Sequence, residues 1–489
     1  MNEKKEKKKA KLQLQQLMLP GLKRWIGVMV IFVFVIGYGV LLLGGVHPLY
    51  MTSMLLHELV QNAAEVLPHR ISGVIVIILG IVGLLVAGTS MVRSILGAYL
   101  PEDRESIPEV LYKKRHLGRG PKVVVIGGGT GLSNLLKGLK VYTNNITAVV
   151  TVGDDGGSSG RLREELGVLP PGDIRNCITA LADEEKLVTE LFQYRFKNGG
   201  GLEGHSFGNL FLSAVFAITN GDMLEAVRVA SRVLNSCGQV LPACLGNISL
   251  VAELEDGRVI HGESKITAAN GRIKRLSIDP VAPDATPAVL DAIANAELIV
   301  LGPGSLYTSV IPNLLIKGIA PAVMHSSALK IYVCNVMTQL GETTDYSAAD
   351  HVEALLEHSG ALKNSPEKLF QTVLVNNRMP DAEILPTPKG DVPTPVIYDA
   401  ERVKSLGIEA EPHPLLIGSS TLHHDPETLA KAIIAWFFRK KNKRVEFRDD
   451  IKGNGGGTSK SDQSSPKLPP QPSDQRSSQT AAKSFGAPV

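Results

Sequence analysis

The chain has 489 residues, enough to bury a large core and to form more than one structural unit. Its formal net charge of +3 is close to neutral, so we expect no nucleic-acid partner. The cysteines are Cys177, Cys237, Cys244 and Cys334, and none of them forms a CxxC pair. This spacing excludes a CxxC zinc site and a disulfide framework, and it fits a reducing compartment.

The N-terminal region has the pattern of a membrane anchor. Residues 1–25 form a polar, lysine-rich tail, and two uncharged apolar runs follow at 26–46 and 71–92. At about 1.5 Å per residue, each run is long enough to cross a hydrocarbon core of roughly 30 Å. A signal peptide would have a shorter apolar run and no second one. The pattern predicts a two-helix transmembrane hairpin with a short outer loop; the alternative is a pair of buried helices.

Basic residues in the flanks orient this hairpin. The N-terminal tail is rich in lysine, the loop between the runs has only Arg70, and several basic residues follow the second run. We therefore predict a multi-pass protein of the cell membrane with both termini and the main domain cytoplasmic. Residues 93–120 would be a linker. Gly37, Gly80 and Gly83 permit close helix packing, so a homo-oligomer is one expectation.

The main domain, residues 121–448, opens with an apolar strand, a glycine-rich turn and a helix. The turn contains Gly128, Gly129, Thr130 and Gly131. Glycines let backbone N–H groups approach phosphate oxygens, and the helix N-terminus adds a positive dipole end. The turn matches neither the dinucleotide fingerprint nor the P-loop. It is a candidate phosphate site, with tight packing as the alternative.

A second apolar run, Ile146–Val152, ends in a turn that contains Asp154, Asp155, Gly157 and Ser158. Together with the first strand and helix it forms one βαβ unit, whose crossover should be right-handed. Acidic residues at this position of doubly wound folds bind ribose hydroxyls. Mg²⁺ commonly takes one or two carboxylates together with phosphate oxygens. The two aspartates are therefore candidate ribose or Mg²⁺ ligands, and a capping turn is the alternative.

Later turns add further polar and glycine residues beyond strands or at helix starts. The candidates in them are Arg175, Asn176, His205, Asn209, Gly304 and Ser305. Ligands in open α/β sheets bind beyond the carboxyl ends of strands, so these turns should meet in one crevice. Arg175 suits a diphosphate because its guanidinium is a bidentate fork, although a structural ion pair would look the same. His205 is either an acid or base or a histidine bonded to backbone.

Together these segments predict an α/β fold with a Rossmann-like, doubly wound, mostly parallel sheet. Gly246–Leu276 differs, because short strands there are separated by hairpin signals at Asp256-Gly257 and Asn270-Gly271. We expect it to be a small inserted β subdomain that flanks the site. Residues 449–489 are rich in Gly, Ser, Pro, Gln and Lys and should be a disordered tail.

Six ordered motifs resemble those of the gluconeogenesis factor family, the YvcK/CofD-like proteins, whose relatives include the 2-phospho-L-lactate transferase of deazaflavin-cofactor synthesis. The motifs are GGGTGLS (127–133), GDDGGSSGRLR (153–163), PPGDIRN (170–176), GHSFGNL (204–210), GPGSLYTS (302–309) and NVMTQLGETTDYSAADHV (335–352). The resemblance covers about Lys122 to Trp436. It implies a nucleotide in the crevice, with Gly128, Gly129 and Thr130 at its phosphates.

The family has two branches, and each implies a function. In the cell-shape branch the ligand is a UDP sugar such as UDP-N-acetylglucosamine. That branch supports cell shape and envelope growth under gluconeogenic conditions, which makes peptidoglycan-synthesis proteins the expected partners. In the transferase branch, a phospholactyl group passes from a nucleotide-linked donor to a deazaflavin acceptor with Mg²⁺. No tightly bound organic cofactor is expected. Leu422–Asp425 resembles the cell-shape branch, except that His423 stands where the family more often has arginine.

Overall fold

The computed structural model describes residues 22–43, 69–97, 117–182, 186–198, 200–361, 368–380, 392–416 and 422–453. The chain divides into two compact units, Met1–Gly120 and Pro121–Val489. Most of the basic tail, of the outer loop and of the linker lies outside the described residues. So does the C-terminal tail after residue 453.

Two long apolar helices form the described part of the N-terminal unit, α1 (Leu22–Leu43) and α2 (His69–Gly97). Segments Arg24–Leu41 and Gly73–Val92 within them are long and apolar enough to cross a membrane. Most of the large apolar side chains on these helices are exposed, as suits surfaces that face lipid. The hairpin in a membrane stays a prediction.

The two helices approach each other closely at glycines. A Cβ added at Gly39 would lie 3.1 Å from the carbonyl oxygen of Gly73, and one added at Gly83 would lie 2.1 Å from the Phe32 ring. Gly80 is also in the contact, but a Cβ on Gly37 would meet no described atom within 4 Å. Of the three glycines predicted to allow close packing, Gly80 and Gly83 lie in the contact between α1 and α2, Gly39 lies there as well, and Gly37 lies outside it.

The described part of the second unit has two sheets, a seven-stranded parallel sheet at its centre and a smaller three-stranded sheet. The strands, in chain order, are β1 (Val123–Gly127), β2 (Ile146–Val150), β3 (Gln239–Pro242), β4 (Ser249–Leu254), β5 (Val259–His261), β6 (Ile273–Asp279), β7 (Leu298–Leu301), β8 (Leu329–Val333), β9 (Thr372–Asn376) and β10 (Glu409–His413). The order in the large sheet is β10-β9-β8-β7-β1-β2-β3. All residues of β1, β7 and β8 are buried, because helices cover both faces.

Helices connect the strands and cover the sheet. They are α3 (Gly129–Leu139), α4 (Gly157–Leu166), α5 (Pro171–Leu181), α6 (Lys186–Gln193), α7 (Phe207–Ile218), α8 (Met223–Val233), α9 (Glu263–Ala268), α10 (Pro287–Ala294), α11 (Ile311–Leu315), α12 (Ile319–His325), α13 (Ala348–Ser359), α14 (Ala400–Ser405) and α15 (Pro426–Gly453). A π-helical turn, Leu306–Val310, precedes α11. The last helix continues past residue 448, where the sequence placed the end of the domain.

All strands of this sheet are parallel, but the order in which successive strands are added along the chain reverses beside β1. The chain runs from β1 through β2 to β3 on one side and from β7 to β10 on the other. The switch point therefore lies between β1 and β7, where open α/β sheets bind their ligands. This parallel α/β fold confirms the predicted class and places the turns after β1 and β7 at the predicted crevice.

The inserted subdomain is a three-stranded antiparallel sheet in the order β5-β4-β6. The hairpin predicted at Asp256-Gly257 joins β4 and β5. The one predicted at Asn270-Gly271 is wrong, because β6 also pairs with β4 and α9 separates it from β5. Asn270 has a positive φ of 46° just beyond that helix. A residue in this conformation commonly follows a helix end, so Asn-Gly marks a helix stop here.

Candidate functional site

The turns after β1 and β7 pack against each other at the switch point. A Cβ on Gly131 would lie 2.8 Å from the Pro303 carbonyl oxygen, and one on Gly304 would lie 3.1 Å from the Gly128 carbonyl oxygen. Asn335, just after β8, donates from Nδ2 to the Gly304 carbonyl at 2.9 Å. Tight packing therefore explains the glycines at 131 and 304.

The glycines at 128 and 129 have a different explanation, which involves Asp173 of α5. The Gly129 N–H donates to Asp173 Oδ2 at 2.7 Å. A Cβ on Gly128 would lie 2.6 Å from the same oxygen. One amide of the turn is thus bound by a carboxyl group instead of being free for phosphate. Thr130 follows at the second position of α3 and is exposed.

The two aspartates of the second turn have separate roles. Asp154 Oδ1 accepts the Gly156 N–H at 2.8 Å. Asp155 Oδ1 accepts both the backbone N–H of Ser264 at 2.9 Å and its hydroxyl at 2.8 Å. Asp155 therefore binds the start of α9 and ties the inserted subdomain to the turn. Residue Gly157, with φ of 48°, begins α4 and is exposed.

A buried chain of hydrogen bonds joins Arg175, Asn209, Ser158 and His205. Arg175 Nη1 donates to Asn209 Oδ1 at 3.0 Å. Because a guanidinium only donates, the amide oxygen of Asn209 must face it, and Asn209 Nδ2 then donates to Ser158 Oγ at 3.0 Å. Ser158 Oγ lies 2.9 Å from His205 Nδ1. Four residues predicted from three separate motifs therefore lie in one network.

Arg175 is a buried cation, only 9% exposed, and not all of its N–H donors have partners among the described residues. Nη1 donates to Ser206 and Asn209, and Nη2 donates to Asn176 Oδ1 at 2.7 Å. Nε has no partner in the described part of the chain, and no carboxylate there forms an ion pair with Arg175. Nε and Nη2 border one edge of the guanidinium, the edge that fits a carboxylate or phosphate. A buried, unpaired cation is costly, so an anion is expected there.

Arginines place positive charge around this network. Burial lowers the pKa of the Arg175 guanidinium, and nearby Arg195 lowers it further. The pKa of His205, which is 3% exposed, is lowered first by burial and then by Arg161. His205 is thus mainly neutral at pH 7, so the positive charges around this network are those of the arginines.

Carboxyl groups also line the crevice, and sequence reasoning missed one of them. Glu263 is the first residue of α9, and burial followed by repulsion from Asp154 and Asp173 raises its pKa to about 9. Burial raises the pKa of Asp173 to about 6 and that of Glu342, in the loop after β8, to about 7. Glu263 belongs to no motif; its only signal is an acidic residue at the start of a short helix.

Buried polar atoms without partners gather around the crevice. Among the described residues they include Thr151 Oγ1, Arg175 Nε, Asn313 Oδ1, Gln339 Oε1 and Glu342 Oε2. Each of these residues contacts a crevice turn or its neighbour; Gln339, for example, donates from Nε2 to Ser305 Oγ at 2.7 Å. Buried polar groups are normally hydrogen-bonded, so this concentration marks a surface built for a ligand.

The carboxyl groups predict a pH dependence of stability. The folded-state pKa of Glu263, about 9, lies above its unfolded value, so the folded protein holds a proton that the unfolded chain releases between the two values. The free energy of unfolding should therefore fall as the pH rises from 7 to 9, by at most about 1.4 kcal/mol per pH unit. Thermal unfolding of the full chain in detergent micelles, repeated between pH 7 and 9, measures this loss of stability.

Glu263→Gln is the control for this pH dependence. The variant should flatten the decline in melting temperature between pH 7 and 9, because the titrating carboxyl is gone. An equal slope in both proteins would show that Glu263 is already ionised at neutral pH in the folded state.

Comparisons with known proteins agree with this fold. A family model described as 2-phospho-L-lactate transferase CofD matches residues 123–416. The gluconeogenesis factor of Bacillus subtilis is 48% identical over 319 residues, which are 65% of this chain and 98% of the relative. This chain belongs to the gluconeogenesis factor family. A crystal structure of a Bacillus halodurans protein, 44% identical, matches with a TM-score of 0.59 and covers 65% of this chain and 100% of that one.

Relatives in the gluconeogenesis factor family match different lengths of this chain. A protein of Nostoc sp. is 50% identical over 422 residues, which are 86% of this chain and 91% of the relative. That match is longer than Pro121–Val489 and therefore reaches into the N-terminal unit. The Bacillus subtilis relative is matched almost end to end by 65% of this chain. The crevice residues lie within 123–416, the part that the family model matches.

Proposed function

We propose that this protein is a membrane-anchored member of the family whose cytosolic domain binds a nucleotide sugar of the UDP-N-acetylglucosamine class. Through this ligand it supports cell shape and envelope growth under gluconeogenic conditions. The observation that carries the proposal is the edge of buried Arg175 beside the crevice, of which Nη2 donates to Asn176 and Nε has no partner in the described part of the chain. A diphosphate offers the oxygens that this edge fits. The names of the curated relatives support the link with gluconeogenesis.

Mg²⁺ fits the acidic side of the crevice. Within the described residues no group of three acidic, histidine or cysteine side chains is arranged to hold a metal ion. Mg²⁺ needs only one or two carboxylates when phosphates supply further oxygens. Asp154 is the better ligand, because its Oδ1 accepts one N–H, from Gly156, whereas Asp155 Oδ1 accepts two hydrogen bonds from Ser264. The ion would offset the repulsion between the diphosphate and the carboxyl groups of Asp154 and Asp173.

The anchor would be the hairpin of α1 and α2. Two observations support this anchor. The helices contain segments that are long and apolar enough to span a membrane, and basic residues flank them. Anchoring would hold the nucleotide-sugar domain where lipid-linked envelope precursors are made. Alkaline carbonate extraction of cell membranes tests it: the protein should stay in the pellet, and release into the supernatant would mean that it does not span the membrane.

Calorimetric titration of the full chain in detergent micelles tests the ligand. UDP-N-acetylglucosamine and UDP should bind, UMP should bind far more weakly because it lacks the diphosphate, and Mg²⁺ should strengthen the first two. GDP serves as the comparison for the base. Absence of heat and of any thermal shift with every nucleotide diphosphate at millimolar concentration would make the proposal wrong.

The family model favours a second function, transfer of a phospholactyl group. An acceptor hydroxyl would attack the phosphorus next to lactate, the nucleoside monophosphate would leave, and the hydroxyl proton would pass to a base. Charge stabilisation by donors of the crevice would carry most of the catalysis. Mass spectrometry after incubation with Mg²⁺, a guanosine diphosphate-linked phospholactate and the deazaflavin acceptor decides: a new phosphodiester supports it, and unchanged acceptor excludes it.

A further inference from the structure

Helix α9 of the inserted subdomain is attached to both sides of the crevice. Near its first turn, Ser264 donates two hydrogen bonds to Asp155 of the second turn. Near its end, the Thr267 hydroxyl donates to Glu342 Oε1 at 3.4 Å. These bonds hold Glu263, the first residue of α9, beside the turns. The residue is partly exposed and so remains within reach of a ligand.

One carboxyl oxygen of Glu342 accepts hydrogen bonds from other described residues, and the other accepts none. Oε1 also accepts the Thr308 hydroxyl at 3.2 Å, which fixes the side chain against the π-helical turn after β7. Oε2 has no partner in the described part of the chain, although Glu342 is only 3% exposed. A buried acceptor without a donor is costly. This oxygen therefore points to a ligand group that donates hydrogen bonds.

The crevice thus combines buried cations with carboxyl groups. Arg175, with Arg161 and Arg195 nearby, supplies positive charge on the side of α4 and α5, where the Asp173 carboxyl also lies near Arg175. On the side of α9, Glu342 Oε2 is a buried acceptor without a partner among the described residues, and Glu263 is a carboxyl that keeps its proton at neutral pH and can both donate and accept. A nucleotide sugar has the matching asymmetry, because its diphosphate is anionic and its glycosyl group is rich in hydroxyl donors.

We infer that Glu263 and Glu342 form the subsite for the glycosyl group of the ligand and form hydrogen bonds with its hydroxyls. The inference rests on the proposed function and adds an orientation: the diphosphate lies toward Arg175, and the sugar lies toward the inserted subdomain. It also makes the inserted subdomain the part of the fold that selects the sugar. Ligands without hydroxyl donors in that position lose this contact.

Paired titrations with UDP-N-acetylglucosamine and UDP test the inference on the full chain in detergent micelles. Wild type should bind the sugar nucleotide more tightly than UDP. Glu342→Gln keeps the shape of the side chain but replaces one acceptor oxygen by a donor. It should weaken binding of UDP-N-acetylglucosamine roughly 10-fold or more and change UDP binding by less than about twofold. Glu263→Gln should act in the same direction.

Glu255→Gln is the matched control, because Glu255 is an exposed carboxylate in the β4–β5 turn of the same subdomain. It should leave both affinities unchanged, and thermal unfolding verifies that each variant folds. Equal weakening of UDP and UDP-N-acetylglucosamine would overturn the inference, since the carboxyls would then serve the diphosphate or its cation. So would unchanged affinities in both variants. If wild type binds neither ligand, the proposed function itself fails.

Discussion

Arg175→Ala should abolish measurable binding of nucleotide diphosphates and destabilise the domain. The edge formed by Nε and Nη2, of which only Nη2 has a partner among the described residues, is the proposed diphosphate contact, and hydrogen bonds to charged groups contribute about 1.5–3 kcal/mol each. Loss of a bidentate contact should weaken binding by at least roughly 100-fold. The substitution also removes the donor to the buried oxygens of Ser206 and Asn209, so we expect a loss of stability on the order of 3 kcal/mol.

Arg175→Lys separates charge from geometry. Lysine keeps the positive charge but lacks the planar fork, so it should bind with an affinity between those of wild type and the alanine variant. Calorimetry with UDP gives the affinities, and chemical unfolding gives the stabilities. Wild-type affinity in a folded Arg175→Ala protein would show that the buried arginine is only a structural part of the network.

Thr130→Ala should weaken nucleotide binding by roughly 10- to 150-fold, because a hydroxyl bonded to a charged phosphate contributes about 1.5–3 kcal/mol. Thr130 is exposed at the start of α3, where backbone donors and the helix dipole favour an anion. Stability should change little, since the side chain makes no core contact. Calorimetric titration gives the affinity, and circular dichroism verifies the fold.

Thr130→Glu is the stronger version of this test. Its carboxylate would repel a diphosphate and should abolish binding. If both Thr130 variants fold and bind like wild type, the turn after β1 is only a packing device and the nucleotide sits elsewhere.

Local sequence patterns predicted much of the fold. The apolar runs that became β1 and β2 and the glycine turn between β1 and α3 are contiguous, so pattern and spacing suffice. Strand β8 (Leu329–Val333) is harder to predict from an apolar pattern, because it includes Lys330. Its Nζ donates to the carbonyls of Val323 and Met324 at the end of α12, so even a charged residue is buried in this strand.

The site was harder to predict, because its contacts join distant residues. Asp173 bonds to an amide 44 positions earlier, and Asp155 bonds to Ser264, 109 positions later. Gly129 and Asp173 stand in separate motifs and Ser264 stands in none, so neither pairing is visible in the sequence. Glu263 was missed because α9 lies in the insertion, outside every recognised motif. The motifs therefore identify the polar residues, while only the topology shows which of them share a network.

A structure of the full chain with UDP-N-acetylglucosamine and Mg²⁺ would show where the nucleotide sugar binds. The diphosphate should lie between the turn after β1 and the Nε edge of Arg175, with the sugar toward Glu263 and Glu342. Diphosphate density that contacts neither Arg175 nor the turn at Gly128–Gly131 would contradict this placement.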